Sequence, residues 1–202
     1  MNTADSLIKH SNTLTPFLND LCNGKRLNAD ETEFAFSCIM GGGVPPEQVA
    51  AFLIALRMQG ESQTELVGAV TALRKRMVTV PNVPPNTIDV CGTGGDNYGT
   101  LNVSTATAFV LAALGIPVAK HGNRAISSKT GASDVLEALG IPPKSDPLEL
   151  SAQLQTHKLT FLAAPYHHPA MRHAAPVRKS LGVRTLFNLV GPLINPAQVK
   201  RQ

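Results

Sequence analysis

Apolar residues recur at helical spacing over the first third of the chain, and the residues between the runs punctuate it clearly. From Thr13 to Met77 the pattern is helical. Asn28 followed by Glu31 has the N-cap and N3 spacing of a capping box, which predicts a helix to about Met40 that Gly41, Gly42 and Gly43 end. Pro45 and Pro46 sit where the next helix begins; Val49, Phe52, Leu53 and Leu56 share one of its faces, and Gly60 stops it. Ser62 with Glu65 repeats the capping box ahead of Leu66, Val67, Val70 and Leu73. These residues make an all-helical module with no obvious chemistry of its own.

Pro81, Pro84 and Pro85 exclude helix from the segment Thr79 to Asn86, which reads as a linker or hinge. Beyond it the period changes. Thr87 to Val90 is a short β-type run, Ser104 to Leu114 an Ala-rich helix closed by Gly115, and Val118 to Lys120 a second strand. Ala132 to Leu139 is a helix closed by Gly140, Leu148 to His157 another helix, and Leu159 to Leu162 a third strand. Strands alternating with helices at this spacing predict an α/β fold: a small all-helical domain over residues 1–80, then a mostly parallel sheet with packed helices over 81–202.

Composition narrows the class. A chain of 202 residues with 43% hydrophobic and 16% charged residues is neither disordered nor collagen-like, and no apolar run is long enough to span a membrane. Net charge is +4, but Lys and Arg are dispersed apart from Arg74, Lys75 and Arg76; a nucleic-acid footprint is weakly supported, and an anionic small molecule fits as well. Cys22, Cys38 and Cys91 lack metal or redox spacing, and Met1 to His10 lacks the features of a signal peptide. A cytoplasmic protein is expected.

Two loops concentrate the chemistry. Cys91-Gly92-Thr93-Gly94-Gly95-Asp96-Asn97-Tyr98-Gly99-Thr100, followed by Asn102-Val103-Ser104-Thr105, places glycines directly after a strand and a helix start directly after them. Backbone N–H groups converging there, with the positive end of the helix, suit a phosphate. A dinucleotide fingerprint fails because Asn97 stands where Gly is needed, and a P-loop fails for want of Gly-Lys-Ser/Thr. The plain alternative is a tight turn followed by an ordinary N-cap. Lys120-His121-Gly122-Asn123-Arg124-Ala125-Ile126-Ser127-Ser128 also follows a strand, and both loops are expected at the carboxyl rim of one sheet. A third cluster, Pro165 to His173 with Arg178 beyond it, holds three histidines without Cys or carboxylate among them. That argues against a transition-metal site. Arg178 offers a planar fork for a carboxylate, or is an ordinary surface arginine.

These motifs, with Asp134 to Gly140, His168-Pro-Ala-Met171, Arg184 to Asn188 and Ala50 to Met58, resemble the anthranilate phosphoribosyltransferase family through nearly the whole chain. The resemblance implies a helical domain, possessing the dimer contacts, joined to an α/β domain of the kind shared with pyrimidine nucleoside phosphorylases. It implies a homodimeric glycosyltransferase of tryptophan biosynthesis that moves the phosphoribosyl group of phosphoribosyl pyrophosphate to the amine of anthranilate. Gly92, Gly95, Asp96, Thr100, Asn102, Val103, Ser104, Thr105, the run Lys120, His121, Gly122, Asn123, Arg124, Ala125, Ile126, Ser127, Ser128, and Ala132 would hold phosphoribosyl pyrophosphate. Ser104 would also serve Mg²⁺, and Gly92, Asn123 and Arg178 would meet anthranilate. The segment near 165–190 would return to the helical domain.

Two departures from the family pattern stand out. Ala132 replaces a serine, removing a hydroxyl from the phosphoribosyl site. The family's Asp-Glu pair for magnesium lies beyond the equivalent of Gln202, so the α/β domain is expected to be incomplete and turnover by these 202 residues weak or absent. A nucleoside phosphorylase on the same fold, and a non-catalytic fragment or relative that binds nucleic acid, are the alternatives.

Overall fold

Each helix of the N-terminal region begins where a proline or a capping side chain takes care of the free N–H groups of its first turn. The computed structural model describes residues 12–93, 102–123 and 131–202. Helix α1 is Thr15–Cys22, with Pro16 in its first turn. Helix α2, Ala29–Gly41, opens on the reciprocal capping box of Asn28 and Glu31 and closes on Gly42 at φ +81°. A Cβ at Gly42 would lie 2.4 Å from the ring of His173, so backbone conformation and space both call for glycine. Helix α3, Pro46–Gln59, runs to Gly60, and α4, Gln63–Lys75, starts on the Ser62–Glu65 capping box. All three predicted helices thus form close to their predicted limits.

The described residues divide into two compact units: residues up to Arg76 with Ala170–Val190, and Met77–Pro169 with Gly191–Gln202. In the helical unit α2 packs on α4 and α1 on α3. Gly68 permits the α2–α4 approach, because a Cβ there would stand 2.3 Å from the carbonyl oxygen of Ala29. The unit's core joins Phe36 to Phe52 and Phe187, with ring centroids 5.9 and 5.2 Å apart. Phe187 arrives late in the chain, in the 3-10 turn Leu186–Asn188 that follows helix α9, Ala175–Leu181.

The second unit is α/β. Helix α5, Val103–Ala113, precedes strand β1, Val118–Gly122. Helices α6, Ala132–Ala138, and α7, Pro147–His157, lead to strand β2, Leu159–Ala163, and the single turn α8, Ala164–His167. β1 and β2 pair in parallel with Val118 opposite Leu159 and Gly122 opposite Ala163. Helix α7 packs on β2, and Phe109 of α5 meets Phe161 of β2 at 5.4 Å. Val80, Ala119, Leu150, Leu154, Leu162 and Ala197 form the apolar core.

One expected strand is reduced. Of the run Thr87 to Val90, only Ile88 pairs with β1, as a parallel bridge to Val118. Continuing that ladder would require the Ala119 carbonyl and the His121 N–H, both on the free edge of β1. Side chains take them instead: Asn195 donates to the Ala119 oxygen at 2.8 Å, and the His121 N–H donates to Asp89 at 3.1 Å.

Candidate functional site

The carboxylate that displaces the ladder is the centre of the site. Asp89 is fully buried, and its Oδ1 accepts the backbone N–H groups of Cys91 at 3.0 Å and of His121 at 3.1 Å. Its Oδ2 accepts from Nδ2 of Asn195 at 2.7 Å. The beginnings of the two glycine-containing loops are therefore held side by side on one carboxylate. Gly92 follows Cys91 at the exposed surface, and Asn123 stands exposed just past the end of β1.

Lys120 is buried in β1 with its ammonium 3.3 Å from the His121 carbonyl. Burial holds it below its ordinary value, opposed by Cys91 and Asp89. It borders a recess of about 10 Å³, also lined by Gly122, Ala132, Ser133 and Phe161, with room for a single water. The methyl group of Ala132, the first residue of α6, lies beside Gly122, and a Cβ on Gly122 would press on it at 3.1 Å. Ser133 is buried next to it.

His121 is buried and its Nδ1 is 3.1 Å from the Gly191 carbonyl, which can only accept, so Nδ1 carries the proton and Nε2 is left as a lone pair. The ring of His168, buried as well, is tilted against that of His121 with centroids 5.2 Å apart. Burial, reinforced by the neighbouring rings of His121 and His167, pushes His168 down to about 3; burial also lowers His121 and His167, against their bonds to the carbonyls of Gly191 and Val78. The three imidazoles are neutral.

Asp89, Cys91 and His121 bring one possible metal-ligating atom each within 4.8 Å of one another. The chemistry of the trio points elsewhere. Both Asp89 oxygens already accept N–H groups, and burial, with Asp89 adding and Lys120 opposing, pushes the Cys91 thiol up to about 11. The trio is a hydrogen-bonded junction.

Asn102 stands at the N-cap position of α5 without a side-chain capping bond, and Val103, Ser104 and Thr105 form the first turn, with Val103 exposed, Ser104 half-buried and Thr105 buried. The Ser104 hydroxyl is a hard oxygen donor of the kind magnesium accepts beside phosphate oxygens and water, and in that respect it fits the ion. Arg178 belongs to α9 of the helical unit, with its guanidinium carbon 5.2 Å from the centre of the Phe187 ring. Burial lowers it from its ordinary value. Gly95, Asp96, Thr100, Arg124, Ala125, Ile126, Ser127 and Ser128 lie outside the described residues. Asp89 and Asn195 escape the motif reading. Asp89 carried one legible sign, a carboxylate in the middle of an apolar β-type run; Asn195 carried none, since it acts 106 positions from its partner.

Comparison with known proteins follows the same division of the chain. The helical bundle domain of a glycosyl transferase family matches residues 15–77, and the a/b domain of that family matches residues 84–202. A curated anthranilate phosphoribosyltransferase of Gluconobacter oxydans is 64% identical over 93% of this chain and 52% of its own length; one from Azorhizobium caulinodans is 50% identical over 93% and 54%. The chain spans about half the length of the curated relatives it matches. Among solved structures, anthranilate phosphoribosyltransferase from Thermus thermophilus superposes with TM-score 0.83 at 42% identity over 89% of this chain and 55% of that one. The Saccharomyces cerevisiae enzyme in complex with phosphoribosyl pyrophosphate and Mg superposes with TM-score 0.79 at 28% identity, over 96% and 56%. The resemblance read from the motifs is borne out, and with its two domains matched in order over most of their combined residues the chain belongs to the glycosyl transferase family.

Proposed function

We propose that this chain carries the phosphoribosyl pyrophosphate site of an anthranilate phosphoribosyltransferase. The observation that carries the reading is the junction at Asp89, where the Gly92 loop and the loop after Lys120 start from adjacent points on one sheet edge. Backbone N–H groups of Gly92 and of the first turn of α5, with the ammonium of Lys120, supply positive charge to phosphate oxygens. Gly95, Asp96, Thr100, Asn102, Val103, Ser104, Thr105, His121, Gly122, Asn123, Arg124 to Ser128 and Ala132 complete the set, and Ser104 contributes an oxygen to Mg²⁺, which neutralises pyrophosphate charge when bound. Arg178 faces the carboxylate of anthranilate, with Asn123 and Gly92 beside the ring.

An aryl amine is unprotonated near neutral pH, so attack on the anomeric carbon calls for no strong base. The nitrogen forms the new bond as the C–O bond to pyrophosphate breaks, and the amine proton leaves to solvent. The protein's share is positioning and electrostatic support of the departing pyrophosphate. Neutral His121 and His168 agree with that division of labour. Homodimerisation through the helical unit is part of the reading. So is a cytoplasmic location, which suits three free thiols; no described helix is long and apolar enough to cross a membrane.

Calorimetric titration with phosphoribosyl pyrophosphate in Mg²⁺ tests the proposal: saturable, magnesium-dependent binding is expected, and its absence overturns the reading. Turnover, followed as loss of anthranilate fluorescence, is expected to be weak or absent in these 202 residues, and robust turnover would show that they suffice.

A further inference from the structure

We infer that Asp89, anchored by Asn195, is a positioning residue that sets the register between the two phosphate-binding loops; the inference rests on the function proposed above. It is a role for a side chain outside both loops. Three stretches of backbone meet at this pair. Oδ1 of Asp89 receives the N–H of Cys91, which begins the first loop, and that of His121, which begins the second. Oδ2 receives Nδ2 of Asn195, and that same nitrogen donates to the Ala119 carbonyl at 2.8 Å. Oδ1 of Asn195 accepts the N–H of Ala197 at 2.8 Å, which fixes the amide's orientation. Both side chains are buried, at 0% and 2% exposure, so water offers these groups no alternative partner.

The choice of residues follows from the geometry. Two N–H groups converging on one oxygen need an acceptor with two free lone pairs, and a carboxylate oxygen supplies them. A regular strand would have paired Val90 with Lys120 and kept the two loop starts at ladder spacing. The side-chain junction replaces that pairing, freeing the backbone of residues 90–91 to turn toward the glycines while the His121 amide stays attached to the same atom. The loops thus share one reference point, and a shift of one is felt by the other. Phosphate coordination by two loops depends on their separation being right to a fraction of an ångström.

The test compares the native 202-residue chain with Asp89→Asn and Asn195→Ala, titrated with phosphoribosyl pyrophosphate in Mg²⁺, with urea unfolding recorded for each. In Asp89→Asn the new amide faces the Asn195 amide, donor against donor, and affinity is expected to fall by about tenfold to a hundredfold. Asn195→Ala keeps the carboxylate and removes its anchor, so a smaller loss is expected. Leu150→Ala, in the apolar core shared with Ala119 and Ala197 but making no side-chain hydrogen bond to the junction, is the control for simple destabilisation: its urea midpoint should fall while its affinity stays native. An independent readout is the amide spectrum, in which Cys91 and His121 should shift together in Asp89→Asn. Native affinity in a folded Asp89→Asn chain overturns the inference, as does a Leu150→Ala loss equal to that of Asp89→Asn. If Asp89→Asn does not fold, native affinity in Asn195→Ala overturns it. A native chain that fails to bind phosphoribosyl pyrophosphate overturns the function proposed above, and this inference with it.

Discussion

Among the described residues of the helical unit, Glu65 is the one fully buried carboxylate, ammonium or imidazole, and its partners are close at hand: the Ser62 amide that it caps, the Leu27 amide and Arg26. The described residues of the α/β unit include five such buried groups, Asp89, Lys120, His121, His167 and His168. Both interiors leave some buried side-chain atoms without a hydrogen-bond partner, on Gln59, Glu61 and Thr185 in the helical unit and on Nε2 of His121 and of His167 in the other; the α/β unit differs in gathering its buried titratable groups at a sheet edge. Burying polar groups costs stability unless they are paired, so their concentration in one unit marks where chemistry takes precedence over packing. The buried titratable groups gather in the α/β unit, while the helical unit supplies Arg178 to the proposed site.

The largest effect that could break this contrast lies in the helical unit. Phe36 is fully buried between the rings of Phe52 and Phe187, and Phe36→Ala is expected to cost about 3–5 kcal/mol in urea unfolding. Hydrogen exchange should accelerate first in α2 and α3. If amides of β1 and β2 lose protection equally, the units unfold as one body and the contrast fails.

A second prediction concerns the imidazoles. Unfolded histidine takes up its proton near pH 6.5, whereas the buried rings remain neutral to lower pH, His168 to about 3. Unfolding therefore absorbs protons between those values, and their contribution to stability, complete above pH 6.5, is lost as the pH falls. A decline of up to about 1.4 kcal/mol per pH unit from His168 is expected in α/β-unit stability between pH 6.5 and 4, with His121 and His167 adding in the same direction. His168→Gln should flatten it. A decline of equal slope in that variant would assign the acid sensitivity to other groups.

The smallest effect is at the caps. Ser62→Ala removes the acceptor of the Glu65 amide and is expected to cost about 1 kcal/mol, seen as faster exchange in the first turn of α4 with α5 and α7 unchanged. No measurable change would mean that the Glu65 carboxylate alone holds the turn.

The same division explains what could be read from the chain. Asn28, Ser62, Pro46, Gly42 and Gly60 act within four residues of the boundaries they set, so sequence spacing is enough to see them. Strands β1 and β2 and helices α5 to α7 were visible for the same reason, as runs bounded by local stops. The short turn α8, the 3-10 turns and α9 leave little periodic signal. The Asp89–Asn195 junction leaves only a carboxylate inside an apolar β-type run, because Asn195 is ordinary in its own neighbourhood and the bond exists only after the chain has folded back. The glycine loops were recognisable as phosphate loops; what holds them together was not.

The return of Ala170–Val190 to the helical unit also bears on how the molecule is made. Synthesis delivers α1 to α4 first, yet the aromatic cluster around Phe36 lacks one wall until Phe187 emerges, after the whole of α5 to α8 has been added. Contacts across such a sequence separation are slow to form, and the nascent helices carry an exposed apolar surface in the meantime. The unit that begins to fold first is completed last, and during synthesis it is the part of the chain most in need of shielding from its neighbours.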